Sequence, residues 1–229
     1  MGLDRTAFLA ATGGAAVGLT VSTAEAAESR PKTPKQALDV LMAGNARFVR
    51  GKLTAAKAIK ERRRDVAGGQ KPYAILLTCA DSRVPPEHIF DKSLGDLFVC
   101  RVAGNTLEPQ IIGSMEYSVT HFDSLLLLVL GHQRCGAVSD TIKLVEASKE
   151  APGSIQSIVE AIAPVVRANP RGSLGDADYV DKIVKANTRA VTKSVLQRSA
   201  IVRSAVSQKK LEVVSAEYSL DSGKVQLLH

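Results

Sequence analysis

The stretch Tyr73-Ala74-Ile75-Leu76-Leu77-Thr78-Cys79-Ala80-Asp81-Ser82-Arg83 decides the fold. Its first six residues are an almost wholly apolar run of strand length, and a thiol, a carboxylate and a guanidinium follow at once. A strand that is apolar on both faces belongs inside a parallel sheet covered by helices. A second segment repeats the plan: Leu125-Leu126-Leu127-Leu128-Val129-Leu130-Gly131 runs directly into His132-Gln133-Arg134-Cys135. Both sets of polar residues therefore fall where buried strands leave the sheet, which is where open α/β sheets place their chemistry.

Outward from these two runs, the other elements alternate. Strands are expected over residues 73–78, 97–102 and 124–130, with a helix near 109–121 and another opening at Cys135, which is parallel α/β order. Upstream, Thr33-Pro34-Lys35-Gln36 offers a capping box with proline at the first helical position. Leu38, Leu41, Met42, Phe48 and Val49 then recur at helical spacing along one stripe. Downstream, Pro152-Gly153 and Asn169-Pro170-Arg171-Gly172 punctuate a helical region, and Val180, Ile183, Val184, Val191 and Val195 mark a long helix. A late strand over 211–217 turns at Asp221-Ser222-Gly223 into a short edge strand, 225–228. The fold class is α/β: a central, mainly parallel β-sheet flanked by helices, with an N-terminal helical arm and a short C-terminal edge strand.

The chain has 229 residues, 45% of them hydrophobic, enough for one domain with a core that needs no disulfide staple. Its net charge of +7 does not make it a nucleic-acid binder. The densest basic run, Glu61-Arg62-Arg63-Arg64-Asp65, is flanked by acids and has no aromatic platforms beside it, so it reads as a solvated helix face. Cys79, Cys100 and Cys135 are an odd count without framework spacing. Cys100, inside Leu97-Phe98-Val99-Cys100-Arg101-Val102, reads as a buried packing thiol.

Residues 1–26 read as an export signal: Arg5 precedes a small-residue apolar stretch over 7–21, and Ala24-Glu25-Ala26 supplies a cleavage pattern. The alternative is an alanine-rich N-terminal helix of a cytoplasmic protein. The mature chain would then be periplasmic or secreted, with residues 27–34 as linker and 35–229 as the domain. No other apolar run approaches the ~20 residues of a membrane helix, so stable membrane insertion is not expected.

Two thiolates, an imidazole and a carboxylate make a tetrahedral zinc set, so Cys79, Asp81, His132 and Cys135 are candidate metal ligands. Cys79, Asp81 and Arg83 share a register if the strand continues through them, which lets Arg83 compete for Asp81. His-x-x-Cys spans about one helical turn at a strand-to-helix junction. A closed structural zinc site and a Cys79–Cys135 disulfide are the alternatives to a catalytic centre.

These segments, with Gly95-Asp96-Leu97-Phe98-Val99, Arg101-Val102-Ala103-Gly104-Asn105, Gly113-Ser114-Met115-Glu116-Tyr117 and Gly136-Ala137-Val138, resemble the β-class carbonic anhydrases from roughly Lys35 onward. The resemblance implies zinc held by Cys79, His132 and Cys135, and hydration of carbon dioxide to bicarbonate by hydroxide on that zinc. Asp81 and Arg83 orient the nucleophile, or Asp81 closes the fourth metal position. Gln70, Phe98 and Tyr117 match the substrate pocket of the plant-like subtype, with Gly136 beside them, and His121 matches a candidate proton shuttle. A surface histidine is the plain alternative for His121, and His88 reads as structural. The family also implies a homodimer or larger even oligomer, with the N-terminal helix crossing to a partner; packing on its own core is the simpler alternative. Hydrolysis of carbonyl sulfide or carbon disulfide on the same site, and a non-catalytic zinc-binding assembly protein, are the rival functions.

Overall fold

A computed structural model describes residues 30–55 and 58–229. The expected export signal, and residues 27–29 of the expected linker, lie outside the described residues. The sheet has five strands, β1 (Ala74–Thr78), β2 (Leu97–Arg101), β3 (Leu126–His132), β4 (Glu212–Tyr218) and β5 (Val225–Leu228), in the order β2-β1-β3-β4-β5. The first four are mutually parallel and β5 closes the edge antiparallel to β4, so the sheet has the expected class and edge strand. The helices are α1 (Pro34–Val49), α2 (Ile59–Asp65), α3 (Pro86–Ile89), α4 (Pro109–Phe122), α5 (Gly136–Glu146), α6 (Ile155–Ala168), α7 (Asp176–Arg198) and α8 (Ala200–Ser207). Among the described residues no helix is long and apolar enough to cross a membrane.

Side chains alternate across a strand, so each apolar run feeds two cores. Ala74, Leu76, Leu126, Leu128 and Leu130 meet α1 and α3 on one face. Ile75, Leu77, Leu127 and Val129 meet α4, α7 and α8 on the other. Both β1 and β3 are buried at every position, which is why their sequences do not alternate.

Thr33 caps α1 by accepting the Gln36 amide at 3.2 Å, and Gln36 Oε1 accepts from Lys32 N at 2.9 Å. The helix lies on the chain's own sheet, burying Ala37 and Leu41 completely. Gly44 presses so close to α3 that a Cβ there would stand 1.8 Å from the Phe90 carbonyl oxygen. Buried Asn45 ties the same helix to two loops, donating to Ile89 O and Gly223 O and accepting from Val225 N. Cys100 is a buried free thiol whose pKa burial pushes up to about 11, as a packing role requires.

Helix α7 also covers the carboxyl end of β4. There Lys185 reaches Asp181 at 2.5 Å and Glu217 at 3.5 Å. Glu217 stands opposite Gly131 of β3 and Gln226 of β5. Asp181 Oδ1 and Glu217 Oε1 are both buried without a hydrogen-bond partner. Burial raises the Glu217 carboxyl to about 7, with Asp181 adding to the shift. The folded chain thus holds the Glu217 proton more tightly than the unfolded one. That stabilisation is complete below the ordinary carboxylate range and is lost as the pH rises through about 7. Glu217→Gln cannot ionise, so thermal melts are expected to place it above the wild type at about pH 8.5 and to erase that gain near about pH 4.

Candidate metal centre

Cys79 leaves β1 while the chain is still paired to the end of β2: Val102 N donates to Thr78 O, and Ala80 N to Val102 O, each at 3.2 Å. His132 is the last residue of β3, and Cys135 is the N-cap of α5. The link between them is a turn with Arg134 in the left-handed region at φ 52°, not the helical turn that the spacing suggested. A left-handed residue reverses the chain within two positions and brings Cys135 back toward the strand end.

The donor atoms of Cys79, His132 and Cys135 lie within 4.8 Å of one another, all buried. His132 donates from Nδ1 to the Gln133 carbonyl at 2.9 Å, which leaves the Nε2 lone pair free. That Nε2 is buried and has no hydrogen-bond partner, although its ring is fully enclosed. A buried acceptor without a donor beside two free thiols fits a zinc ion. The electrostatics agree. The Cys135 thiol, then His132 and the backbone amides of Asp81 and Gly104, draw the Cys79 pKa down to about 4. The negative Cys79 in turn pushes Cys135 up, together with burial, and a cation between the two sulfurs would favour ionisation of both.

Asp81 stands beside this trio, its Oδ2 3.9 Å from His132 Nε2. Both its oxygens are occupied: Arg83 Nε and the Arg83 amide donate to Oδ1 at 2.9 Å, and Arg83 Nη2 to Oδ2 at 2.7 Å. This forked pair holds the Asp81 carboxyl at about 2. The shared strand register expected for Cys79, Asp81 and Arg83 is not the cause, because β1 ends at Thr78 and the chain turns through Val84 N to Asp81 O. The carboxylate accepts the amide two residues on, which closes the turn and brings the guanidinium back. Sequence reasoning gave no role to Arg101. It donates to Cys79 O at 3.1 Å and to Asp81 O at 2.7 Å, fixing the loop that carries both. Its place at the end of β2, the strand paired with β1, is the signal that could have found it.

Gly136 opens α5 beside Cys135 and is exposed. The remaining expected site residues are not brought to this metal group. Parallel strands all run one way, so residues ahead of a strand lie at the opposite end from residues behind it. Gln70, before β1, lines a cavity of about 630 Å3 with Arg47, Tyr73, Asp91 and Asp96. Phe98 is three residues upstream of Arg101, roughly 10 Å of strand. It stacks with Tyr117 at 6.4 Å, and Tyr117 packs against His121 at 4.2 Å. Within one chain, therefore, Phe98, Tyr117 and His121 form their own cluster on β2 and α4, and Gln70 does not join the metal.

Residues 74–225 match the family model described as carbonic anhydrase. Over 194 residues the chain is 36% identical to carbonic anhydrase 2 of Mycobacterium tuberculosis, spanning 85% of this chain and 92% of that one. It is 33% identical over the same length to a carbonic anhydrase of Mycolicibacterium smegmatis, 93% of which is covered. Among solved structures, the Coccomyxa β-carbonic anhydrase in complex with acetazolamide superposes with a TM-score of 0.66 at 28% identity, over 83% of this chain and 86% of that one. A tetrameric β-carbonic anhydrase of Sordaria macrospora gives 0.67 at 25%, over 75% and 89%. With its parallel sheet and its Cys-His-Cys group at the carboxyl edge, the chain belongs to the β-class carbonic anhydrase family.

Proposed function

We propose that this chain is a zinc-dependent carbonic anhydrase interconverting carbon dioxide and water with bicarbonate and a proton. The observation that carries the reading is the division of labour at the site: three donors converge on one point, while the fourth candidate, Asp81, is held by Arg83. When bound, zinc supplies the acidity that turns a water into a nucleophile near neutral pH, an effect whose best-known example is itself a carbonic anhydrase, one with three histidine ligands.

The chain's own residues do the rest. Arg83 keeps Asp81 ionised, so its carboxylate acts only as an acceptor. Asp81 Oδ2 would accept a hydrogen bond from the nucleophile, which would leave an oxygen lone pair directed at carbon dioxide. The forked geometry fixes the plane of the carboxylate, which a lysine would not do. Arg101 holds the backbone of Cys79 and Asp81 and so keeps the acceptor and the first sulfur in one frame.

Purified, zinc-loaded protein should contain one zinc per chain and hydrate carbon dioxide, with carbonyl sulfide hydrolysis assayed on the same sample. Sulfide hydrolysis without hydration supports the rival hydrolase, and zinc without either activity supports a purely structural site.

The pocket is completed by a second copy of the chain. Gln70, Phe98 and Tyr117 lie away from their own metal, Tyr117 is half exposed, and β2 is a free edge of the sheet. A homodimer or larger even assembly would set them against the partner's metal group, and the Sordaria relative is described as tetrameric. The test mixes two impaired variants, Gln70→Ala and Arg83→Ala. Mixed dimers regain one intact site if Gln70 serves the partner, whereas no recovery after verified subunit exchange excludes it. Gln70 and the absence of tryptophan also favour the plant-like subtype, for which hydration should fall hyperbolically with bicarbonate. A steep sigmoidal loss would contradict that assignment. Export is proposed from residues 1–26 alone, and an intact Met1 or Gly2 start on protein from the native cell would overturn it.

A further inference from the structure

Two hydrogen bonds in series connect the middle of α7 to the first sulfur of the metal group. Asn187, buried within that helix, donates from Nδ2 to the Gly104 carbonyl at 3.1 Å. The Gly104 amide donates in turn to Cys79 Sγ at 3.3 Å. Gly104 lies in the short 3-10 turn at Ala103–Asn105, at φ 66°, followed by Asn105 at φ 43°. A non-glycine residue in this region is costly, so the turn persists only where its surroundings over-determine it. A Cβ on Gly104 would stand 2.7 Å from Ile162 Cδ1 and 3.2 Å from Ala137 Cβ. The turn is thus gripped by α5, α6 and α7 together. The next residue of α7, Thr188, packs on Gly131, where a Cβ would stand 2.2 Å from its Oγ1, one position before His132.

A buried amide is a costly choice for a helix whose inward residues include Ile183, Val184 and Val191. A leucine would fill the same volume without that cost. The bond to Gly104 gives the amide its function, because it anchors the carbonyl of a turn already held at φ 66° by its neighbours, and the two constraints together set the direction of the Gly104 N–H. An N–H aimed at a thiolate withdraws charge from the sulfur and orients it, and such supporting bonds tune a metal ligand as well as hold it.

We propose that Asn187 is a positioning residue for the metal centre: through Gly104 it aims an N–H at Cys79 Sγ and tempers that sulfur as a ligand. This rests on the reading of Cys79, His132 and Cys135 as the metal ligands.

The experiment uses the full-length protein loaded with Co(II) in place of zinc, whose thiolate-to-cobalt absorption band reports the sulfur directly. Zinc affinity is measured alongside by competition with a chelating dye. Asn187 also lines a cavity of about 570 Å3 between α6 and α7, which leaves room for altered side chains. Asn187→Leu is expected to move the band to longer wavelength and to weaken zinc binding roughly tenfold. Asn187→Gln, which keeps an amide donor, should recover part of both. Val191→Ala, one turn along the same helix, should lower the melting temperature and leave the band in place.

A folded, metal-loaded Asn187→Leu with the wild-type band and affinity overturns the proposal, as does an equal band shift in Val191→Ala. If Asn187→Leu does not fold, Asn187→Ser, too short to reach Gly104, is read by the same criteria. A wild-type protein that shows the thiolate band but does not hydrate carbon dioxide removes the proposed reaction and leaves this inference to its own spectrum. A wild-type protein without a thiolate band removes the ligand assignment and the inference together.

Discussion

Cys79→Ser is expected to purify with well under one zinc per chain and to hydrate carbon dioxide at least about a hundredfold more slowly than the wild type. The expected loss is at or beyond the upper end of what removal of an outer partner costs such a site. Cys79 is the thiol most readily ionised among the described residues, at about 4, and it gives the trio its first negative charge. A serine hydroxyl stays protonated at neutral pH and is a poor ligand for zinc, so the group would be left with one buried thiol and one imidazole to hold the ion. Two further groups lose their partner at the same time: the Gly104 amide loses its sulfur, and His132 Nε2 keeps a buried lone pair without a cation. Elemental analysis and thermal melts check both halves of the expectation. A chelator should lower the melting temperature of the wild type, because a ligand bound only by the folded state stabilises it, and should leave Cys79→Ser unmoved. Full zinc occupancy in fresh, reduced Cys79→Ser would remove Cys79 from the ligand set.

The sheet was legible because its two central strands carry no polar residue before their ends. An apolar run of strand length that stops at a cluster of metal-binding side chains has few other readings, and β1 and β3 fall within two residues of their expected limits. Helix α8 was not expected, since Ala200–Ser207 has no proline or glycine to separate it from α7. Its start is set by Ser199, which leaves helical geometry and accepts the Val202 amide at 3.1 Å.

At the site, residue types were more legible than geometry. The types of the donors are legible, but strand periodicity does not extend past Thr78. What holds Arg83 against Asp81 is a side-chain-closed turn, and what folds Cys135 back to His132 is a left-handed arginine. Neither has a signature in spacing alone. Gln70, Phe98 and Tyr117 read as one pocket with the metal group because a sequence does not say at which end of the sheet, or toward which chain, a residue faces. The direction of parallel strands separates them within this chain.

Arg83→Ala should separate metal binding from catalysis. None of the three donors touches Arg83 through a hydrogen bond, so zinc is expected to stay at one per chain while hydration falls by about a hundredfold or more, the usual cost of losing one preorganised electrostatic group. The reason lies in Asp81. In the folded chain its two oxygens take three bonds from Arg83, two from the guanidinium and one from the amide, and only the last survives the substitution. The carboxylate then loses the partner that held it at about 2, and its Oδ2 is already 3.9 Å from His132 Nε2. A freed carboxylate beside a divalent cation is drawn onto it as a fourth ligand, which blocks the position a water needs. Arg83→Lys restores the charge without the fork, so it should recover only part of the rate while the zinc content stays constant. The Co(II) spectrum of Arg83→Ala should change as a carboxylate enters the coordination sphere, and Asp81→Asn should abolish that change. A zinc-replete Arg83→Ala that turns over at the wild-type rate would show that Asp81 needs no latch, and the orienting role assigned to the pair would fall with it.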